Sequence, residues 1–115
     1  MASEFDIQCY VVTQALRNGI LVHGDPLGLV RSARLGAKAK CAGARKGWPD
    51  LTFVLKDRVV WVELKTTRGK KSADQKEVHW QMQSLGHDVY TVFAKDGPDG
   101  WKKVQECLLG GVLNA

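Results

Sequence analysis

The sequence predicts an α/β domain in which a central mixed β-sheet is flanked by helices, and three patterns carry that prediction. Residues 51–64 fold in register as a hairpin with one wholly apolar face. Two stretches, 4–17 and 72–85, place a capping serine ahead of apolar residues at helical spacing. Residues 88–94 alternate with the period of a strand.

Taken in order, Ser3 caps a first helix over 4–17 whose apolar stripe is Phe5, Cys9, Val12 and Leu16, and Asn18-Gly19 stops it. A short strand over 20–23 follows, then the turn-rich Gly24-Asp25-Pro26-Leu27-Gly28. Residues 29–44, rich in alanine and basic residues, read as a weakly amphipathic helix or a partly ordered arm, interrupted at Gly36. Residues 45–48 form an entry loop into the hairpin, where Pro49 is acceptable because the first residue of a strand can do without its N–H. After the hairpin and a polar loop over 66–71, Ser72-Ala73-Asp74-Gln75 is a capping box. It opens a helix with Val78, Met82 and Leu85 as its buried stripe and Gly86 as its end. In the strand 88–94, Val89, Thr91 and Phe93 share one face, Tyr90 and Val92 the other. Residues 95–100 read as a loop, and Trp101, Val104 and Leu108 line a last short helix before Gly110-Gly111.

The chemistry sits in the hairpin. A turn at Lys56-Asp57 pairs Leu55 with Arg58, Val54 with Val59, Phe53 with Val60, Thr52 with Trp61 and Leu51 with Val62, so that Asp50 falls opposite Glu63. Leu51, Phe53, Leu55, Val60, Val62 and Leu64 share the apolar face; the other face ends in Asp50, Glu63 and Lys65. Opposed carboxylates repel, and a bound cation removes the objection. Asp50, Glu63 and the carbonyl of Leu64 are hard oxygen donors of the kind that hold Mg²⁺ or Mn²⁺ while leaving positions to water and phosphate. Lys65, on the face of Glu63, is placed to orient or deprotonate water or to stabilise a charged transition state. Gln75 lies on the buried side of its helix, either as the cap alone or as a hydrogen-bond partner of this site.

At 115 residues the chain, 1–115, is expected to form one domain, with a formal net charge of +5 that suits an anionic partner. No acidic residue occurs between Asp25 and Asp50, whereas Arg31, Arg34, Lys38, Lys40, Arg45 and Lys46 do; Lys65, Arg68, Lys70, Lys71 and Lys76 form a second cluster. Either run can be a solvated face, but their flanking of the carboxylates favours phosphate binding by Arg45, Lys46, Arg68, Lys70 and Lys71. Cys9, Cys41 and Cys107 lack zinc-ligand spacing and read as reduced, packed thiols of a cytoplasmic protein. No apolar run approaches the ~20 residues of a membrane span, and the N-terminus has no signal-peptide pattern, so no membrane partner is expected. His23, His79 and His87 read as surface or core residues rather than ligands, since magnesium prefers oxygen.

The chain resembles the VRR-NUC family of the PD-(D/E)xK nuclease superfamily. The likeness is carried by Ser3-Glu4 with Gln8, Gly43, Gly47-Trp48-Pro49-Asp50-Leu51, Val62-Glu63-Leu64-Lys65, Ser72-x-x-Gln75 and Leu85-Gly86, and runs from Ser3 to about Val92. The resemblance implies a restriction-endonuclease-like core and a Mg²⁺- or Mn²⁺-dependent endonuclease that leaves 5′-phosphates on DNA. It implies Asp50 and Glu63 as metal ligands, Lys65 as the catalytic lysine, Gln75 as a supporting active-site residue and Glu4 as a further acid near the metals. It further implies branched, four-way DNA as substrate, in the manner of Holliday-junction resolvases, and a homodimer. Trp48 departs from the family's usual smaller apolar residue, and either stacks on a base or packs; Trp61, Trp80 and Trp101 read as core or dimer-interface residues. The alternative from another class is a non-catalytic nucleic-acid-binding or structural protein retaining the nuclease fold.

Overall fold

The computed structural model describes residues 2–25 and 33–110. Four helices, α1 (Glu4–Arg17), α2 (Ala33–Cys41), α3 (Ala73–Ser84) and α4 (Gly97–Leu108), accompany one four-stranded sheet, β1 (Leu21–Gly24), β2 (Leu51–Val54), β3 (Val59–Thr66) and β4 (Asp88–Ala94), in the order β1-β2-β3-β4. β1, β2 and β3 are antiparallel neighbours; β4 runs parallel to β3 through the α3 connection, which makes the sheet mixed.

The hairpin register is the one its alternation predicts, with Leu51 opposite Val62, Thr52 opposite Trp61, Phe53 opposite Val60 and Val54 opposite Val59. Leu51, Phe53, Val60, Val62 and Leu64 are buried under α1 and α4 with Ile7, Val11, Ala15, Val92, Ala94 and Val104. Full burial of each Leu, Ile, Val or Phe contributes roughly 1.5–3 kcal/mol, so this face supplies most of the apolar stabilisation. The opposite face carries a smaller cluster, Val78, Met82 and Val89 with Trp61, beneath α3.

Several local expectations are corrected. α1 buries Ile7, Val11 and Ala15, not the stripe of Phe5, Cys9, Val12 and Leu16; Phe5 and Leu16 are exposed. Both stripes have helical period, and the slimmer one lets α4 approach closely. An added Cβ at Gly100 would lie 2.8 Å from the Ile7 side chain. In α3 the buried residues are Val78, His79 and Met82, while Leu85 is the C-cap and is exposed. Residues 97–100 belong to α4 rather than a loop. Asp96 caps the helix by accepting from the Asp99 N–H at 2.9 Å, and Pro98 falls in the first turn, where no N–H is needed. α2 runs unbroken through Gly36; residues 26–32 of the preceding turn and arm lie outside the described residues. Cys9 and Cys41 are exposed, and Cys107 alone is a packed thiol. Of the tryptophans read as core or dimer-interface residues, Trp80 is exposed and so is not core.

Arg58 closes the far end of the sheet. Its guanidinium donates to Asp88 at 2.9 Å and to the carbonyls of Cys107 and Leu108, both at 2.9 Å, tying the C-terminus of α4 to β3 and β4.

Gly47 holds the entry loop against α3. Its φ is +92°, and a Cβ there would sit 2.4 Å from the Asp74 carbonyl oxygen and 2.8 Å from the Gln75 nitrogen, atoms of helix backbone that cannot rotate away. Gly47→Ala is therefore expected to lower unfolding stability by about 2–4 kcal/mol, backbone strain plus overpacking. Gly43→Ala, at φ +106° with nothing within 4 Å of the added carbon, should lose less. Denaturant titration of the two variants checks the difference.

Candidate metal centre

Asp50 and Glu63 meet at the end of the β2–β3 hairpin, on the face toward α3. Asp50 follows buried Pro49 and directly precedes β2; its Oδ2 accepts the Leu64 N–H at 2.8 Å. Glu63 is 2% exposed, and its Oε2 accepts from Gln75 Nε2 at 2.9 Å. Gln75 is fixed in turn, since its Oε1 accepts the Ser72 N–H at 2.8 Å while its own N–H donates to Ser72 Oγ at 3.1 Å. The two functions weighed for Gln75, cap and site partner, are carried by the same amide. Because the Ser72 backbone N–H can only donate, the amide nitrogen must face Glu63.

Glu4 completes the cluster. One carboxylate oxygen each from Glu4, Asp50 and Glu63 lie within 4.8 Å of one another. The α1 stripe explains how Glu4 arrives. Glu4 lies three residues before Ile7 and seven before Val11, so burying Ile7 and Val11 against the sheet carries Glu4 to its end. A capping box between Ser3 and Asp6 leaves Glu4 out of the cap.

Lys65, 9% exposed, lies two residues beyond Glu63 on the same face of β3. The turn closed by the Gly69 N–H on the Thr66 carbonyl folds over its aliphatic stem, so that a Cβ added at Gly69 would lie 3.3 Å from the Lys65 Cβ and Cδ. Of the five residues expected to bind phosphate, Lys71 is half-buried and electrostatically linked to Glu63 and Lys65. Arg45, Lys46, Arg68 and Lys70 reach solvent to differing degrees, and Lys46 lies 3.7 Å from Asp74. Leu64 meets the site through its N–H.

Electrostatics favour a cation here. Burial, reinforced by the charge of Asp50, pushes the Glu63 pKa up to about 9. Burial also raises that of Asp50, against the hydrogen bond with protonated Glu63, the Leu64 N–H and Lys65, which act the other way; Asp25, whose N–H donates to the Asp50 carbonyl at 2.7 Å, adds to the rise. Glu63 Oε1 is buried with no hydrogen-bond partner among the described residues. Asp50 Oδ2 and Glu63 Oε2 are thus each held by a protein donor, while Glu63 Oε1 is left without one. Oxygen donors in this arrangement fit Mg²⁺ or Mn²⁺.

Two neighbours complete the surroundings, of which His79 is the core residue expected and Asp25 was not foreseen. His79 is buried, and its Nε2 lies 3.9 Å from Glu63 Oε1, too far for a hydrogen bond, with no other partner among the described residues. Burial, with Lys71 and Lys65 nearby, lowers its pKa to about 4, so it is a neutral core histidine rather than an ion-pair partner. The signal lay in the spacing: Gln75, Val78, His79 and Met82 follow i, i+3, i+4, i+7. Asp25 carried no comparable signal, because only the β1–β2 pairing brings it beside Asp50.

The opposing shifts define a pH response of the metal-free fold. Glu63, raised from 4.5 to about 9, makes the folded state hold an extra proton in that window, so stability falls as pH rises through it. His79, lowered from 6.5 to about 4, makes stability rise with pH in its own window. The two oppose each other up to about 6.5, above which the Glu63 slope remains. The melting temperature in EDTA is expected to fall between pH 6.5 and 9, and Glu63→Gln should flatten that fall. Thermal melts across this range test both.

No family model and no curated protein matches the sequence. Solved structures do. One, described as a "VRR_NUC domain protein", aligns with a TM-score of 0.72 at 18% identity, covering 95% of this chain and 90% of that one. Another, described as a "VRR_NUC domain", gives 0.61 at 22% identity over 94% and 97% of the two chains. At these identities the likeness is one of architecture, and it agrees with the fold that the sequence motifs imply: this chain has the fold of the VRR_NUC domain structures.

Proposed function

We propose that the chain is a VRR-NUC nuclease, acting as one domain over its whole length and hydrolysing DNA phosphodiester bonds with Mg²⁺ or Mn²⁺. The observation that carries this reading is the convergence of Glu4, Asp50 and Glu63 from three separate segments on one point, with the Lys65 side chain buried on the same face. Three acids gathered at such a point weaken a fold unless they serve a ligand. A bound divalent ion supplies charge compensation at the phosphate and lowers the pKa of water.

The chain's own residues supply the rest. Gln75 and the Leu64 N–H hold Glu63 and Asp50 in fixed orientations, so little reorganisation is needed when substrate arrives. The Lys65 ammonium offers donors to the attacking water or to the phosphate oxygens as charge develops. Lys71 beside the cluster, and Arg45, Lys46, Arg68 and Lys70 around it, neutralise flanking phosphates. By resemblance to the family the substrate is branched, four-way DNA, the active form is a homodimer and the products carry 5′-phosphate; the cysteine pattern adds the cytoplasm as the compartment. Among the described residues no helix is long and apolar enough to cross a membrane.

Incubation with linear, flapped and four-way DNA in Mg²⁺, Mn²⁺ and EDTA tests the proposal; cleavage of none of them would favour a binding protein that keeps the fold. Lys65→Met, which retains the packed stem, is expected to abolish cleavage while DNA affinity stays within a few fold, and full cleavage by this variant would remove Lys65 from the mechanism. In wild type, Mg²⁺ at a hundred times its dissociation constant should stabilise the fold by about 2.7 kcal/mol. Asp50→Asn should lose that gain, read as the shift in melting temperature.

A further inference from the structure

One step from the carboxylates, on the same face of the sheet, lies a cavity of about 250 Å³ whose walls include Arg45, Trp48, Trp61, Val78, Met82 and His87. Trp61 precedes Glu63 by two residues on β3, roughly 6.6 Å along the strand. Val78 follows Gln75 by three residues on α3, about 4.5 Å along its axis. The cavity therefore borders the acidic cluster at a spacing of one or two nucleotides, given that nucleotides of duplex DNA rise roughly 3.4 Å each along the helix axis.

Its lining has the chemistry of a stacking site. Trp48 keeps 43% of its surface exposed, although its loop is fixed to α3 through the close approach at Gly47. The Trp61 ring is braced edge-on by His87, with centroids 5.6 Å apart and planes at 73°. Gln81 joins His87 in giving the wall polar groups that can bond a base edge. Among the described residues no carboxylate lines the cavity, and Arg45 does. In a chain of net charge +5, that balance attracts a polyanion.

We propose that this cavity receives an unpaired nucleobase, stacked on Trp48, from the DNA strand whose phosphate lies at the Glu4–Asp50–Glu63 cluster. The proposal rests on the nuclease reading and adds to it a preference for DNA with an unpaired nucleotide beside the cut.

Binding in EDTA tests it apart from cleavage. By fluorescence anisotropy, a hairpin DNA with a single-stranded overhang should bind Trp48→Ala roughly tenfold more weakly than wild type, with the affinity for a blunt duplex unchanged and Trp48→Phe within a few fold. A 2-aminopurine in the overhang should be quenched by the wild-type protein, a readout that needs no variant. Equal overhang binding by wild type and a folded Trp48→Ala, or unquenched 2-aminopurine, would overturn the proposal. So would sedimentation showing a dimer that Trp48→Ala dissociates, since a second copy would then fill the cavity. Quenching without cleavage of any DNA in Mg²⁺ or Mn²⁺ would sink the nuclease reading and leave the base site standing. Cleavage unaffected by Trp48→Ala, without quenching, would do the reverse.

Discussion

The structure turns on one unfavourable arrangement, two carboxylates opposed at the end of a hairpin whose other face is the core. Asp50 and Glu63 cannot move apart without shifting the register of β2 and β3, and that register is held by Leu51, Phe53, Val60 and Val62 on the buried side. A slip of one residue by either strand would turn its two side chains outward, a loss larger than the repulsion between two acids. The apolar face therefore dictates where the charged face ends. What surrounds Glu63, from the Gln75 amide to the neutral His79, accommodates a charge that the hairpin leaves no freedom to avoid.

The two ends of the sheet are treated differently. Beside Asp88, the Arg58 guanidinium donates to a carboxylate and two helix carbonyls, a network that stitches α4 to the strands. At the Asp50 end Glu63 Oε1 stays buried without a partner among the described residues. Paired charge at one end and an unpartnered acid at the other distinguish the two ends of a single sheet.

The hairpin, its register and the pairing of Asp50 with Glu63 were legible in the sequence because strand alternation has a period of two and leaves only two choices, one of them wholly apolar. Helix faces were less legible. In α1 two apolar stripes share the same period, and only packing against the glycine face of α4 selects Ile7, Val11 and Ala15. Glu4 depends on that selection, so family motifs point to its place in the cluster where residue spacing leaves it open. α4 began earlier than expected because Gly97-Pro98-Asp99-Gly100 has the composition of a loop, and only the Asp96 cap converts it into a first turn. For His79 the sequence left surface and core both open, and the α3 face shared with Gln75, Val78 and Met82 selects the core.

Gln75 is at once the third residue of the α3 capping box and the clamp on Glu63. Helix ends fray more readily than whole domains unfold. Each time the first turn of α3 opens, the acidic cluster loses the donor that orients its most buried member. The fidelity of the centre is then governed by the local opening equilibrium of one helical turn, so two proteins of equal global stability can differ in how often their site is correctly built.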